Sequence, residues 1–308
     1  MAILAPGQGA QKPGMLSPWL ELDGVAERVA GWSELIGLDL ARLGTTADAE
    51  EIQDTAITQP LIVAASLIAY AELAERVDLP ATAPVAGHSI GELAAAAIAG
   101  VFSLDDAVSL AAVRGREMAA ACALEPTGMV AVMGGEPDAV VSWLAEFELT
   151  PANMNGAGQI VAAGSRTALE KLSGANRPGT KIIALKVAGA FHTHYMAPAE
   201  AALRERAGSI QVADPTRPLL SNADGAVVDT GAEELNRLIA QVLKPVRWDR
   251  CMATLAELGV TGTIELPPAG ALTGLVKREL KGTATLPLKS PDDLDKLASF
   301  VAEHEGNS

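Results

Sequence analysis

The chain has 308 residues, 49% hydrophobic and 20% charged, with 38 acidic against 23 basic side chains and a formal net charge of −15. A chain of this length buries roughly three quarters of its unfolded surface, so it needs no disulfide or metal to fold. Two cysteines, Cys122 and Cys251, exclude a disulfide framework and a Cys-rich metal site. The acidic balance and the few aromatics (four Phe, four Trp, two Tyr) argue against nucleic acid as a partner.

The N-terminal apolar run stops at Pro6 and has no basic residues before it, unlike an export signal. The stretches Leu61 to Ala71 and Leu93 to Phe102 fall far short of the roughly 20 residues that span a bilayer. The expectation is a soluble cytoplasmic protein without a membrane segment.

Residues 2–5 predict a buried strand running into a glycine turn, Pro6-Gly7-Gln8-Gly9. Helical periodicity covers Trp19 to Trp32 and Gln59 to Val77. Residues 83–87 predict a second strand, followed by an Ala-rich helix ending at Gly100. Ser103 is an N-cap, with Asp105 and Asp106 favourable in the first turn of a helix that carries Arg114 and Met118. The texture then changes. Residues 127–135, 152–164 and 181–188 read as strands, separated by helices at 138–146 and 166–173. That order suggests a small α+β module of the split βαβ kind, inserted in a larger α/β domain. Residues 199–207, 233–243, 248–258 and 273–280 predict helices, and 217–221, 262–266 and 284–288 predict strands. A last helix starts at Ser290-Pro291, with fraying from about Glu303. Alternating short strands and helices imply a mainly parallel sheet covered on both faces.

Gly87-His88-Ser89-Ile90-Gly91 fits the Gly-x-Ser-x-Gly nucleophile elbow. Small residues at both ends let Ser89 sit on a tight strand-to-helix turn. The Ile90 amide then lies at a helix N-terminus, where it can stabilise an oxyanion. A base must come from four histidines: His88, His192, His194 and His304. His192 follows an apolar strand, where the loops of α/β sheets build sites. No acidic residue between Ser89 and His192 sits at a strand end as a triad acid should, so a backbone carbonyl is the alternative for orienting the imidazole. Gly7-Gln8-Gly9 is a weak match to a dinucleotide-binding loop, because Lys12 stands where the third glycine belongs.

Six segments together resemble the malonyl-CoA:acyl carrier protein transacylases. They are Ala5-Pro-Gly-Gln-Gly-Ala-Gln11, Gly87-His-Ser-Ile-Gly-Glu92, Arg114-Gly-Arg116, Asn153-x-Asn155 with Gly158-Gln159, Gly189-Ala-Phe-His192, and Gln241-x-x-x-Pro245-Val-Arg-Trp248. The resemblance extends to about residue 290. It implies a hydrolase-like α/β domain (1–124 and 191–308) with an inserted ferredoxin-like domain (125–190) and the site in the cleft between them. It also implies Ser89 as the acylated nucleophile, His192 as its base, Gln8 and Ile90 as oxyanion-hole amides, and Arg114 as the receptor of the malonyl carboxylate. Gln241 would hold the histidine through its main chain. His88, Met118, Phe191 and Asn155 would support the site, and Phe191 would crowd an α-methyl group.

The reaction so implied passes a malonyl group from malonyl-CoA through Ser89 to the pantetheine thiol of a holo acyl carrier protein, in a ping-pong scheme. CoA thioester is the substrate; no bound cofactor or metal is expected, and the chain is expected to be a monomer. The alternatives are a serine thioesterase or esterase, a trans-acting polyketide acyltransferase, and a non-catalytic carrier-binding module. Arg116, Lys186, Arg247, Lys277 and Arg278 are candidates for a basic cleft mouth facing anionic CoA and the acidic carrier. The chain departs from the resemblance at Thr193, where many relatives have serine, and at Pro267-Pro-Ala-Gly270, where many have Gly-Pro-Gly. His194 has no evident role.

Overall fold

The short apolar runs 2–5 and 85–87, bounded by Pro and Gly, form central strands because they have no polar face to present to water. The computed structural model describes residues 1–175 and 177–304. In chain order the strands are β1 (Ala2–Ala5), β2 (Val85–Gly87), β3 (Thr127–Met133), β4 (Thr150–Gly156), β5 (Gln159–Ser165), β6 (Lys181–Ala184), β7 (Leu219–Leu220), β8 (Gly262–Glu265) and β9 (Ala284–Pro287). Five make a parallel sheet in the order β7-β2-β1-β8-β9, with Ile3 of β1 opposite Val85 on one side and Ile264 on the other. β1, β2 and β8 are buried along their whole length, as a sheet covered on both faces requires.

The other four strands make an antiparallel sheet in the order β4-β5-β3-β6. With α-helices after β3 and β5, the segment runs strand, helix, strand, strand, helix, strand. This is the ferredoxin-like arrangement. Residues 152–164 are therefore not one strand but a hairpin, turning at Ala157 (φ 49°) and Gly158 (φ 69°). Two successive left-handed residues are what a two-residue hairpin turn needs, and alanine at the first of them hides the signal.

The helices are α1 (Val25–Ile36), α2 (Leu40–Thr45), α3 (Thr55–Arg76), α4 (Gly91–Ile98), α5 (Leu104–Cys122), α6 (Pro137–Ala145), α7 (Arg166–Gly174), α8 (Ala197–Ala207), α9 (Gly231–Ala240), α10 (Trp248–Glu257), α11 (Ala271–Glu279) and α12 (Leu297–His304). Ser103 caps α5 by accepting from the Asp106 amide at 3.0 Å, as its position implied. Residues 19–24 are turns rather than the start of a helix, because Gly24 enters α1 in the left-handed region. Residues 241–243 are a short 3-10 turn rather than the end of α9. Glu303 and His304 stay helical, while the rest of the tail expected to fray lies outside the described residues.

α3 is the central core helix. It is longer than its apolar run suggested, and by length and composition alone it could cross a membrane, but 78% of its apolar window is buried inside the fold. Its partners include α5 and α4. Two backbone bonds join the small sheet to the segment before α10: the Met154 amide donates to the Val246 carbonyl and the Val246 amide to that of Ala152, both at 2.9 Å. The cleft between the sheets is thereby fixed on one side.

Candidate active site

The elbow is built by close backbone approach. A Cβ on Gly87 would stand 2.1 Å from the Gly91 carbonyl carbon, and one on Gly91 would stand 2.2 Å from the Ala5 carbonyl oxygen. Only hydrogen fits at either place. Ser89 takes φ 53° between β2 and α4, a left-handed conformation that a non-glycine residue holds only under constraint. Asn222, just past β7, supplies the constraint. Its Oδ1 accepts from the Ser89 amide and its Nδ2 donates to the Gly87 carbonyl, both at 2.7 Å. Gly87→Ala is expected to lower unfolding stability by at least about 1–3 kcal/mol, the range for overpacked sites. Denaturant titration measures it, and the variant should also lose Ser89 reactivity.

Ser89 Oγ lies 2.8 Å from His192 Nε2, and His192 Nδ1 lies 2.8 Å from the main-chain carbonyl of Gln241. The carbonyl only accepts, so Nδ1 carries the proton and Nε2 presents a lone pair to the serine hydroxyl. His192 (φ 61°) follows β6 and is buried. Its orienting group is a backbone carbonyl, the alternative left open by the absence of a triad acid.

Arg114 on α5 is 2% exposed. Its Nη1 donates to Gln59 Oε1 at 2.8 Å; its Nη2 donates to Gln241 Oε1 at 2.9 Å and to Ser89 Oγ at 3.3 Å. Burial pulls the guanidinium down to about 10, with the Glu92 charge opposing, so it stays charged at neutral pH. Burial first, and then the Arg114 charge, hold His192 down to about 3.

The folded protein therefore keeps the imidazole neutral where the unfolded chain would protonate it. This group's share of stability is complete above pH 6.5 and is lost as pH falls toward 3. Nitrogen-15 NMR of the imidazole is expected to show the neutral Nδ1–H form from pH 7.5 down to 5. A titration near 6.5 would contradict this environment.

The remaining residues of the resemblance come together around one cleft of about 400 Å³. Gln8, on the turn after β1, and Ile90, at the start of α4, both line it. Among the described residues neither amide donates a hydrogen bond. His88 sits behind the elbow, its Nε2 2.8 Å from Asn155 Oδ1 and its ring edge-on to Trp248. Met118 accepts weakly from Gln59 Nε2 at 3.6 Å, and Phe191 is buried in the cleft wall.

Of the five basic candidates, Arg278 of α11 lines the cleft. Arg116 pairs with Glu117 and Arg247 with Asp249. Lys186 and Lys277 are exposed but outside the lining. His194 is exposed and stacks on Tyr195, away from the cleft. The Thr193 hydroxyl donates to the Ala190 carbonyl at 2.6 Å, a bond serine could equally make. Residues 267–270 lead into α11, and the Pro267 carbonyl accepts from Ser66 Oγ at 2.8 Å.

Three polar residues escaped the sequence reading: Gln59, Asn222 and the side chain of Glu92. Each joins segments distant in the chain, so no local spacing marks it. Among the described residues, no group of three or more His, Cys, Asp or Glu side chains is placed to hold a metal ion.

The family model for the acyl transferase domain matches residues 4–300. The malonyl CoA-acyl carrier protein transacylase of Mycobacterium tuberculosis is 57% identical over 301 residues, covering 97% of this chain and all of the relative. That of Escherichia coli is 33% identical over 298 residues, covering 94% and 96%. Among solved structures, the crystal structure of MCAT from Mycobacterium tuberculosis aligns with a TM-score of 0.93 at 57% identity, covering 96% of this chain and 99% of that one. The malonyl-CoA:acyl carrier protein transacylase structure from Helicobacter pylori aligns at 0.90 with 27% identity, covering 98% of each.

Proposed function

The chain belongs to the acyl transferase domain family, and we propose that it transfers a malonyl group from malonyl-CoA to the pantetheine thiol of an acyl carrier protein through an ester on Ser89. The observation that carries this reading is a single cluster. A serine hydroxyl faces a neutral imidazole at 2.8 Å while a buried guanidinium stands 3.3 Å from the same oxygen.

In the first half-reaction Ser89 Oγ attacks the thioester carbon and its proton passes to His192 Nε2. The oxyanion forms against the Gln8 and Ile90 amides; loss of one such donor typically costs about 2.7–4 kcal/mol. The carbon–sulfur bond breaks, and the CoA thiolate takes the proton back from His192. In the second half the carrier thiol gives its proton to His192, and its sulfur attacks the seryl ester. Collapse returns the proton to Ser89 Oγ. A thiol with an ordinary pKa of about 8.5 needs that base near neutral pH.

Arg114 selects the acyl group. Malonate carries a carboxylate one methylene from the reacting carbonyl, and a guanidinium pairs with it through charged hydrogen bonds. An acetyl group leaves the arginine without that partner. The scheme requires no bound cofactor or metal. Malonyl units so transferred supply fatty-acid or polyketide synthesis.

We further take residues 125–190 as the small domain and the rest as the large one. We place the protein in the cytoplasm as a monomer, without nucleic acid or membrane as a partner. The deciding assay mixes protein, malonyl-CoA and a holo acyl carrier protein and follows the mass of the carrier. Gain of a malonyl group by the carrier is expected. Release of CoA and free malonate at the same rate without carrier would make the protein a thioesterase instead.

A further inference from the structure

Glu92 stands in the first turn of α4, fully enclosed, and none of the steps above uses it. Both of its oxygens act as acceptors. Oε1 takes the Asn222 amide N–H at 2.9 Å, and Oε2 takes an N–H of the Gln241 side chain. The Gln241 amide has one accepting end and one donating end. Its Oε1 accepts from Arg114 Nη2 at 2.9 Å, and its Nε2 donates to Glu92 Oε2 and, at a longer 3.4 Å, to Asn222 Oδ1. Were the amide reversed, its NH2 would meet the guanidinium, donor against donor. Only a side chain that accepts at both positions satisfies Asn222 and Gln241 together. A carboxylate does so; a carboxamide, with one donor end, does not.

Arg114 is bonded to three neutral partners, Gln59, Ser89 and Gln241. Glu92 lies one amide away; burial pushes its carboxyl up to about 7, while its N–H donors and the Arg114 charge favour the ionised form. We propose that Glu92 is a positioning residue for acyl selection: it locks the Gln241 side chain so that its oxygen holds the Arg114 guanidinium in the pose that receives the malonyl carboxylate. This rests on the acyl transfer reading of Arg114 given above.

Glu92 also reaches the elbow, because Asn222 holds the Ser89 amide. The two roles separate with a substrate that has no carboxylate. p-Nitrophenyl acetate offers Arg114 no carboxylate, so its acylation reports on Ser89, His192 and the oxyanion amides without the acyl-carboxylate contact. Glu92→Gln keeps the volume and one acceptor, and circular dichroism checks its fold.

For Glu92→Gln, kcat/KM with malonyl-CoA is expected to fall about tenfold or more, chiefly through KM, the size of effect seen when a hydrogen bond to a charged group is lost. The ratio of malonyl to acetyl adduct should fall by a similar factor. Reaction with p-nitrophenyl acetate should stay within about threefold of the parent. An unchanged malonyl-to-acetyl ratio would overturn the proposal, and so would an equal loss with both esters, which would place the effect at the elbow.

Should that variant not fold, Gln241→Ala carries the test. It deletes the relay but keeps the main-chain carbonyl that holds His192 and the Glu92 bond to Asn222. The same fall in selectivity is expected, and an unchanged ratio overturns the proposal. A parent protein that reacts with p-nitrophenyl acetate but takes up no malonyl group would instead overturn the transfer reading on which this one rests.

Discussion

Ser89→Ala is expected to reduce malonyl transfer by on the order of 10⁶-fold, the scale at which removal of a serine nucleophile disables enzymes of this chemistry. Stopped-flow or mass-based transfer assays measure it. The variant should still fold, because the constraints on the elbow lie elsewhere. The Ser89 main-chain amide keeps its bond to Asn222, and neither glycine that permits the turn is changed. Binding of malonyl-CoA should therefore persist, so that the loss falls on kcat. The Oγ deleted contacts both His192 Nε2 and Arg114 Nη2. A transfer rate within tenfold of the parent would remove the covalent step from the mechanism.

Arg114→Ala is expected to lower kcat/KM for malonyl-CoA by about 10²–10³-fold, corresponding to the roughly 3–4 kcal/mol of a truncated buried charge contact. With acetyl-CoA the effect should be small or favourable. The parent guanidinium is desolvated and would face a methyl group, and an unpaired buried charge is costly. Selectivity between the two thioesters should therefore collapse toward unity. Arg114→Lys is not a conservative substitute. The guanidinium reaches Gln59 with one nitrogen and Gln241 and Ser89 with the other, and an ammonium cannot hold that fork. Equal losses with malonyl-CoA and acetyl-CoA would show that Arg114 stabilises the site without reading the carboxylate.

The elbow was legible in the sequence because its glycines are a steric necessity, and the contacts a Cβ would make at Gly87 and Gly91 bear that out. His192 was narrowed only to a loop after a strand, where His194 stands two residues on, and the resemblance carried by Gly189-Ala-Phe-His192 chose between them. The hairpin at 157–158 was not, since Ala157 in a left-handed turn carries no compositional signal. Nor was the polar network behind the site. Glu92 reaches Gln241 across 149 positions and Asn222 across 130. Such contacts depend on which strand ends the sheet order brings together, and periodicity does not encode that. The role of Gln241 illustrates the limit. A backbone carbonyl can come from any residue type, and only the resemblance pointed to this one.

The most direct measurement is the intact mass of the protein after brief mixing with malonyl-CoA, and separately with acetyl-CoA, followed by addition of holo acyl carrier protein. One malonyl adduct on Ser89, little acetyl adduct, and clearance of the malonyl group onto the carrier are expected. CoA release with no adduct on the protein, or an acetyl adduct as abundant as the malonyl one, would contradict the assignment of Ser89 as nucleophile or of Arg114 as selector.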